Sequence, residues 1–299
     1  MKIIGTGCAH PSKVVTNEML SEMVDTSNEW ITTRTGITER RVISSEMMLD
    51  LAVEAARNAL DNAGITASEL DFIIVANVIN EYVTPALSCI LQGAIGATCP
   101  CVDLNGACVG FVYGIDMAEA YYKAGKVKKV LIVCAEQPSR MLSWQDRSVC
   151  VLFGDGAGAA VLAEGDNIKA SRLTASSNYD KLYQMHELQP SPFNTKPSTN
   201  LPLVMRGQDV FKFASRASYA DLNTLLKEIG KTPDDVSLFL LHQANIRIID
   251  NIAHLFNQDK AKFPTNIQKY GNTSSASLPI LLDEMNREGR LHRGDLLAL

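Results

Sequence analysis

Three polar side chains stand where an apolar run gives way to a helix: Cys108, His242 and Asn272. Cys108 lies in Asn105-Gly106-Ala107-Cys108-Val109-Gly110-Phe111. The short extended run Cys101–Leu104 precedes it, and small and apolar residues at helical spacing follow from Val109 to Ala124, closed by Gly125. A cysteine at or just before a first helical turn meets the positive end of the helix dipole and unpaired N–H groups, which favour thiolate over thiol. Its small neighbours let a substrate approach closely. On the turn alone two readings stay open, an activated nucleophile and a buried structural thiol. His242 follows Leu238-Phe239-Leu240-Leu241 and precedes a helix that Asn245 caps; the carboxyl ends of strands are where open α/β sheets gather ligands. Asn272 follows Gly271 and by itself reads as a turn residue. The other histidines, His10, His186, His254 and His292, have no partner motif and read as surface or core side chains.

Positioning such groups takes a scaffold, and 299 residues with 46% apolar and 6% aromatic content suit an aliphatic α/β core. Strands and helices alternate. A helix over Asp50–Asn62 closes at Gly64 and leads to the strand Phe72–Ala76. A helix from Pro85 to Ile95, the Cys108 helix and the strand Val130–Cys134 come next, then Gly154–Gly158 and the strand Ala159–Leu162. Near-continuous apolar strands between helices imply strands covered on both faces. The second half repeats the scheme: a helix from Asp209 to Ile229, a strand Val236–Leu241, a helix Asn245–Phe256, a helix opened by Gly271–Ala276 and running through Met285, and a last strand Leu296–Leu299. Asn105-Gly106-Ala107-Cys108 thus corresponds to Asn272-Thr273-Ser274-Ser275, which indicates duplication of a whole domain. The expected division is 1–165, carrying the cysteine, and 166–299, carrying the histidine and asparagine. By the same comparison the second half is expected to lack its last strand. Ser177–Leu203, rich in Ser, Pro, Asn and Thr, reads as a long loop.

Other classes of function fall away. A net charge of −5 argues against general nucleic-acid binding, and no apolar run is long enough to span a membrane. Seven scattered cysteines, an odd number, suit a reducing cytoplasm. Gly154-Asp155-Gly156-Ala157-Gly158 lacks the Lys-Ser/Thr ending of a phosphate loop and leads into a strand, so it is expected to be a tight turn in a core hairpin. Cys99-Pro100-Cys101 has no second cluster to complete a metal site, so no metal is expected.

Taken together the motifs resemble the β-ketoacyl-acyl-carrier-protein synthase III family, the initiating condensing enzymes of bacterial fatty acid synthesis within the thiolase superfamily. The resemblance runs from Ile3 to the last residue. It is carried by Glu29-Trp30-Ile31 with Arg34-Thr35-Gly36-Ile37, Asn105–Phe111, Trp144-Gln145-Asp146-Arg147 and Phe153–Gly158. The second half adds Gly207 with Val210-Phe211-Lys212-Phe213, Leu241-His242-Gln243-Ala244-Asn245 and Tyr270–Ser277. It implies a thiolase-like five-layer αβαβα fold of two duplicated halves. It also implies that Cys108 is acylated by an acyl-CoA primer such as acetyl-CoA. His242 and Asn272 then stabilise the enolate of malonyl-acyl carrier protein as CO₂ departs, and the carbanion attacks acyl-Cys108. Carried over by position, Trp30 and Arg147 sandwich the CoA adenine, and Arg34, Gly207, Phe211, Ala244 and Asn245 line the pantetheine tunnel. Trp30 and Phe211 have core packing as the competing reading. Lys212, Arg216 and Arg247 form a basic rim for an acidic carrier protein, with a solvated helix face as the competing reading. His242 is further expected to hold Cys108 as thiolate. The family implies no cofactor, a homodimer, and a C-terminal Gly-rich loop whose N–H completes the oxyanion hole with that of Cys108. No such loop follows Leu299 in this sequence. The alternatives are a paralogue making a specialised ketide and an impaired homologue that binds acyl-CoA or a partner.

Overall fold

The computed structural model describes residues 1–185, 192–193 and 199–299. The first half runs β1 (Lys2–Ala9), β2 (Lys13–Thr16), α1 (Asn17–Ser21), α2 (Asn28–Thr35), β3 (Glu39–Val42), α3 (Met48–Ala63), β4 (Phe72–Ala76), α4 (Leu87–Ile95), β5 (Cys101–Leu104), α5 (Gly110–Lys123), β6 (Lys129–Glu136) and β7 (Gly156–Ala163). Then follow β8 (Leu182–Met185), β9 (Leu201–Met205), α6 (Gly207–Glu228), β10 (Leu238–Phe239), α7 (Ile246–Phe256), α8 (Ile267–Tyr270), α9 (Ser277–Arg287) and β11 (Leu297–Ala298).

Five strands form one sheet in the order β1-β7-β6-β4-β5. β4, β5 and β6 are mutually parallel, while β7 runs antiparallel between β6 and β1. Successive residues divide between two apolar layers, as the pleat requires. Ile73, Val75, Leu131 and Val133 face the Ala-rich side of α3 and Leu87 and Leu91 of α4. Ile74, Ala76, Val130 and Ile132 face Phe111 and Ile115 of α5 and Leu278 to Leu282 of α9. On the far side of α5 and α9, Leu238 and Leu297 join that same cluster from β10 and β11, and α6 and α7 pack over the opposite side of these strands around Phe239 and Phe256. The layers are therefore helix, sheet, helix, strand pair, helix, the thiolase-like α/β architecture expected from the motifs. The second strand layer is thin: β10 and β11 pair in parallel over two residues each, where the sequence suggests a strand from Val236 to Leu241.

Two expectations need correction. Ser177–Leu203 is not uniformly a loop, because β8 and β9 pair as an antiparallel hairpin. Their alternation is short and interrupted by a register shift, which is why no period shows; 186–191 and 194–198, including His186, lie outside the described residues. Nor does Gly154–Gly158 form a tight turn, for β6 ends at Glu136 and β7 begins at Gly156. Its glycines serve close packing instead. A Cβ at Gly158 would lie 2.8 Å from the Ile280 nitrogen, and one at Gly154 would lie 2.2 Å from the Tyr270 carbonyl.

Candidate functional site

The duplication is visible in the backbone. Asn105 Oδ1 accepts the Ala107 N–H at 3.3 Å, and Asn272 Oδ1 accepts the Ser274 N–H at 2.9 Å. Each Asx turn passes through a residue with positive φ, Ala107 at 45° and Ser274 at 52°, into a single 3-10 turn and then α5 or α9. Non-glycine residues occupy that region only when their surroundings hold them there. Here each turn holds the other, since the Ala107–Val109 and Ser274–Ala276 turns pack together. Gly110 permits the approach: a Cβ there would lie 2.7 Å from that of Ala76 and 3.2 Å from that of Ser275.

Cys108 therefore sits where the sequence puts it, in the turn before α5 at the carboxyl end of β5. Its protonation differs from expectation. Burial pushes the thiol up to about 11, with the Glu136 carboxylate adding to the rise and the Ser274 hydroxyl opposing it. The helix start favours a thiolate, but removal from water outweighs that favour in this state. Ser274 Oγ lies 3.7 Å from Cys108 Sγ.

His242 stands beyond β10, and its Nδ1 lies 2.6 Å from Ser277 Oγ. The same oxygen accepts the Gln243 N–H at 3.2 Å, so the serine's proton is free for Nδ1. That assignment puts the imidazole proton on Nε2. Burial pushes His242 down to about 4, so it is neutral near pH 7. It is a hydrogen-bond donor rather than the cation that would hold a thiolate. Asn272 is fixed from both sides: its N–H donates to the Leu152 carbonyl at 2.8 Å and its carbonyl accepts the Gly154 N–H at 3.1 Å. With Oδ1 taken by Ser274, the amide N–H₂ is left as a donor. Cys108, His242 and Asn272 all lie on the turns that open α5, α7 and α9.

Glu136, absent from the sequence reading, ends β6 inside this cluster. Its Oε1 accepts from Ser275 Oγ at 2.6 Å and Ser274 Oγ at 3.4 Å, and its Oε2 from the Val78 N–H at 3.2 Å. Burial raises the carboxyl to about 7. The one available signal was a carboxylate closing an otherwise apolar strand. Its effect on stability opposes that of His242. The neutral histidine contributes stability that is lost as pH falls from 6.5 towards 4, whereas the buried carboxylate costs stability as pH rises from 4.5 towards 7. Each is worth at most about 3 kcal/mol at 1.36 kcal/mol per pH unit, so over pH 4.5–6.5, where the two windows overlap, they largely cancel. Glu136→Gln lifts the cancellation. His10 is depressed to about 4 in both proteins, so the reading is the difference: denaturant melts of that variant are expected to lose about 2–3 kcal/mol more than the wild type on acidification across that window.

The predicted nucleotide end lies on α2. Ser27 caps the helix by accepting the Trp30 N–H at 3.1 Å, and the Trp30 ring has the Arg34 guanidinium 4.5 Å and that of Arg147 5.3 Å from its centroid. Arg147 also donates to Asp25. Trp30 is partly buried against the cluster that holds Leu20, Ile31 and Ile37, so packing and a stacking surface coexist. Asn245 caps α7, accepting the Arg247 N–H at 2.9 Å, and its amide reaches the Arg34 carbonyl at 3.2 Å. Gly207 opens α6, while Phe211 and Ala244 pack at the edge of the α6–α7 core. Lys212 and Arg216, one turn apart on α6, and Arg247 on α7 are exposed on two helices that pack together.

The profile described as 3-oxoacyl-acyl-carrier-protein (ACP) synthase III matches residues 102–179, and that of its C-terminal region matches 226–299. The β-ketoacyl-acyl-carrier-protein synthase III of Clostridium acetobutylicum is 42% identical over 98% of this chain and 92% of its own length. The crystal structure of the Aquifex aeolicus 3-oxoacyl-acyl-carrier-protein synthase III superposes with a TM-score of 0.91 at 42% identity, covering 99% of this chain and 94% of that one. A priming β-ketosynthase from a polyketide biosynthetic pathway superposes with a TM-score of 0.87 at 30% identity, covering 99% and 90%. No helix among the described residues is long and apolar enough to cross a membrane.

Proposed function

Because the chain belongs to the 3-oxoacyl-acyl-carrier-protein synthase III family, we propose that it condenses an acyl-CoA primer, acetyl-CoA foremost, with malonyl-acyl carrier protein, and so initiates fatty acid synthesis. The observation that carries this reading is the meeting of the two Asx turns, which sets Cys108 against the Asn272 turn. Cys108 attacks the thioester carbonyl and CoA leaves. The malonyl thioester then takes its place, and the neutral His242 Nε2–H and the Asn272 amide donate to its carbonyl oxygen. Charge builds on that oxygen only as CO₂ departs, so donors placed in advance lower the barrier without binding the ground state equally. The thioester and the loss of CO₂ drive the chemistry, which asks for no metal or redox cofactor. Trp30, Arg34 and Arg147 are assigned to the nucleotide end of CoA, and Gly207, Phe211, Ala244 and Asn245 to the pantetheine path. Seating a base between Trp30 and Arg147 requires the guanidinium to swing off the indole. Lys212, Arg216 and Arg247 are assigned to the acidic carrier protein. We assign the halves as 1–165 and 166–299, the assembly as a homodimer and the compartment as the cytoplasm.

The test is intact-mass analysis after incubation with acetyl-CoA, then addition of malonyl-acyl carrier protein. A stoichiometric acetyl adduct on Cys108 that disappears as the 3-ketoacyl product forms supports the reading; no adduct with any acyl-CoA overturns it. His242→Ala and Asn272→Ala are expected to keep the adduct yet slow condensation about 10²–10³-fold each, the usual cost of removing one such donor. The likeness to a polyketide priming synthase supports a second reading, a specialised ketide product, which a preference for a primer other than acetyl-CoA would favour.

A further inference from the structure

We propose that Glu136, acting through the Ser274 hydroxyl, stores the thiol proton of Cys108 during turnover; the proposal rests on Cys108 being the acylated nucleophile. The Ser274 oxygen bridges the two groups, 3.7 Å from Cys108 Sγ and 3.4 Å from Glu136 Oε1. A hydroxyl has one proton to give, so donating to one group withdraws it from the other. The bridge is fixed: Ser274 is held at a φ of 52° by the Asn272 turn, facing the mirror turn that carries Cys108.

Glu136 is a buried carboxyl without a counter-ion among the described residues. It is 1% exposed, and no ion pair among the described residues includes it. Burying a carboxyl with no cation beside it is costly even where both oxygens accept hydrogen bonds, as these do from Ser274, Ser275 and the Val78 N–H. The titratable groups that bear on it are the Cys108 thiol on the facing turn and the Cys134 thiol on its own strand. Its position near neutrality lets it hold or release a proton at working pH.

As the Cys108 sulfur attacks the acyl-CoA carbonyl, the S–H bond breaks and its proton passes to Ser274 Oγ. The proton already on that oxygen moves to Glu136 Oε1, and the new Ser274 hydroxyl points back at the sulfur. The electron pair of the cleaved thioester leaves on the CoA sulfur, which takes a proton from water. After condensation, the electron pair of the acyl–Cys108 bond returns to Cys108 as a thiolate. The stored proton then travels back from Glu136 through Ser274. The cycle takes up one proton from solvent, as loss of a malonyl carboxylate as CO₂ requires.

Two rates test this: alkylation of Cys108 by iodoacetamide and formation of the acetyl adduct, each followed across neutral pH. The wild type is expected to show an inflection near pH 7. Glu136→Gln is expected to lose it and to acylate about 10²-fold more slowly at neutral pH, the lower end of the usual general-base effect. Ser274→Ala should do the same, and the double variant should be no slower than either single one. Ser275→Ala, which strips the carboxylate of its shortest hydrogen bond but leaves the bridge, should move the inflection to higher pH. A purely structural Glu136 would leave the profile unshifted in Ser275→Ala. Unchanged rates and profiles in Glu136→Gln or Ser274→Ala, or single effects that multiply, overturn the proposal. Should Glu136→Gln fail to fold, the two serine variants still decide. If alkylation follows this pattern while acetyl-CoA gives no adduct with the wild type, the proton path from Cys108 through Ser274 to Glu136 stands and the acyl-CoA reading falls, and with it the path's use in turnover.

Discussion

Cys108→Ala should give no covalent adduct with acetyl-CoA and condense at least on the order of 10⁴-fold more slowly, the scale of losing a nucleophile outright. Six other cysteines are present, and none is placed to substitute. Cys99, Cys134 and Cys150 are buried, and burial raises each thiol. Cys8 is raised too, first by burial and then by its hydrogen bond to Asp283. Cys89 and Cys101 lie 3.5 Å apart, in the first turn of α4 and at the start of β5. Cys108 alone stands on a helix-opening turn packed against the Asn272 turn. The variant should fold normally, because removing a single sulfur atom leaves only a small cavity. It should also retain decarboxylation of malonyl-acyl carrier protein without condensation, since His242 and Asn272 remain in place. Persistent stoichiometric acetylation in Cys108→Ala, mapped by peptide mass, would falsify the assignment.

Much of this site was legible because it is built from local signals. Gly125 and Gly230 mark helix ends by their left-handed conformation, at φ 70° and 64°, and Asn245 caps α7 by its own side chain. The repeat of Asn-x-x-Cys and Asn-x-x-Ser predicted two equivalent turns, and the backbone supplies them. What could not be read is what depends on contact between distant segments. The separations of 138 and 139 residues across which Ser274 and Ser275 meet Glu136 leave no periodic trace. Cys108 illustrates the same limit: its helix start predicts a depressed thiol, but burial raises it where its turn packs against Ser274–Ala276 of the second half. β10 is short for a related reason. A strand's length depends on its neighbours, and among the described residues β10 has only β11 to pair with, over two residues.

Gly154→Ala should destabilise the protein by roughly 3 kcal/mol or more, in the range of a core substitution that the backbone cannot accommodate. The added Cβ would sit 2.2 Å from the Tyr270 carbonyl oxygen, 3.0 Å from the Arg40 Cβ and 3.2 Å from the Arg41 carbonyl oxygen. Two of those three atoms are main chain from separate segments, so no side-chain rotation relieves the clash. Neither segment is free to retreat. The Leu152–Gly154 stretch is tied to Asn272 by hydrogen bonds in both directions, and Gly271 passes with its own would-be Cβ only 2.9 Å from the Leu152 carbonyl. Arg40 is fully buried and donates to the Val15 and Val151 carbonyls and to Asn17. The remaining movement is of the Gly271–Asn272 turn itself, which carries the amide away from the substrate oxygen. Cys108 stands on the other turn, so protein that folds should still take up an acetyl group while condensation falls. Gly156→Ala provides the contrast: its Cβ would meet the flexible tip of Ile280 at 3.1 Å, and the variant should lose less than about 1.5 kcal/mol, as a small volume change absorbed by a side chain does. Urea midpoints measured on both variants decide the matter. Equal midpoints would show that Gly154 is not the close contact that aligns Asn272, and wild-type condensation in Gly154→Ala would show that the turn can shift without loss of chemistry.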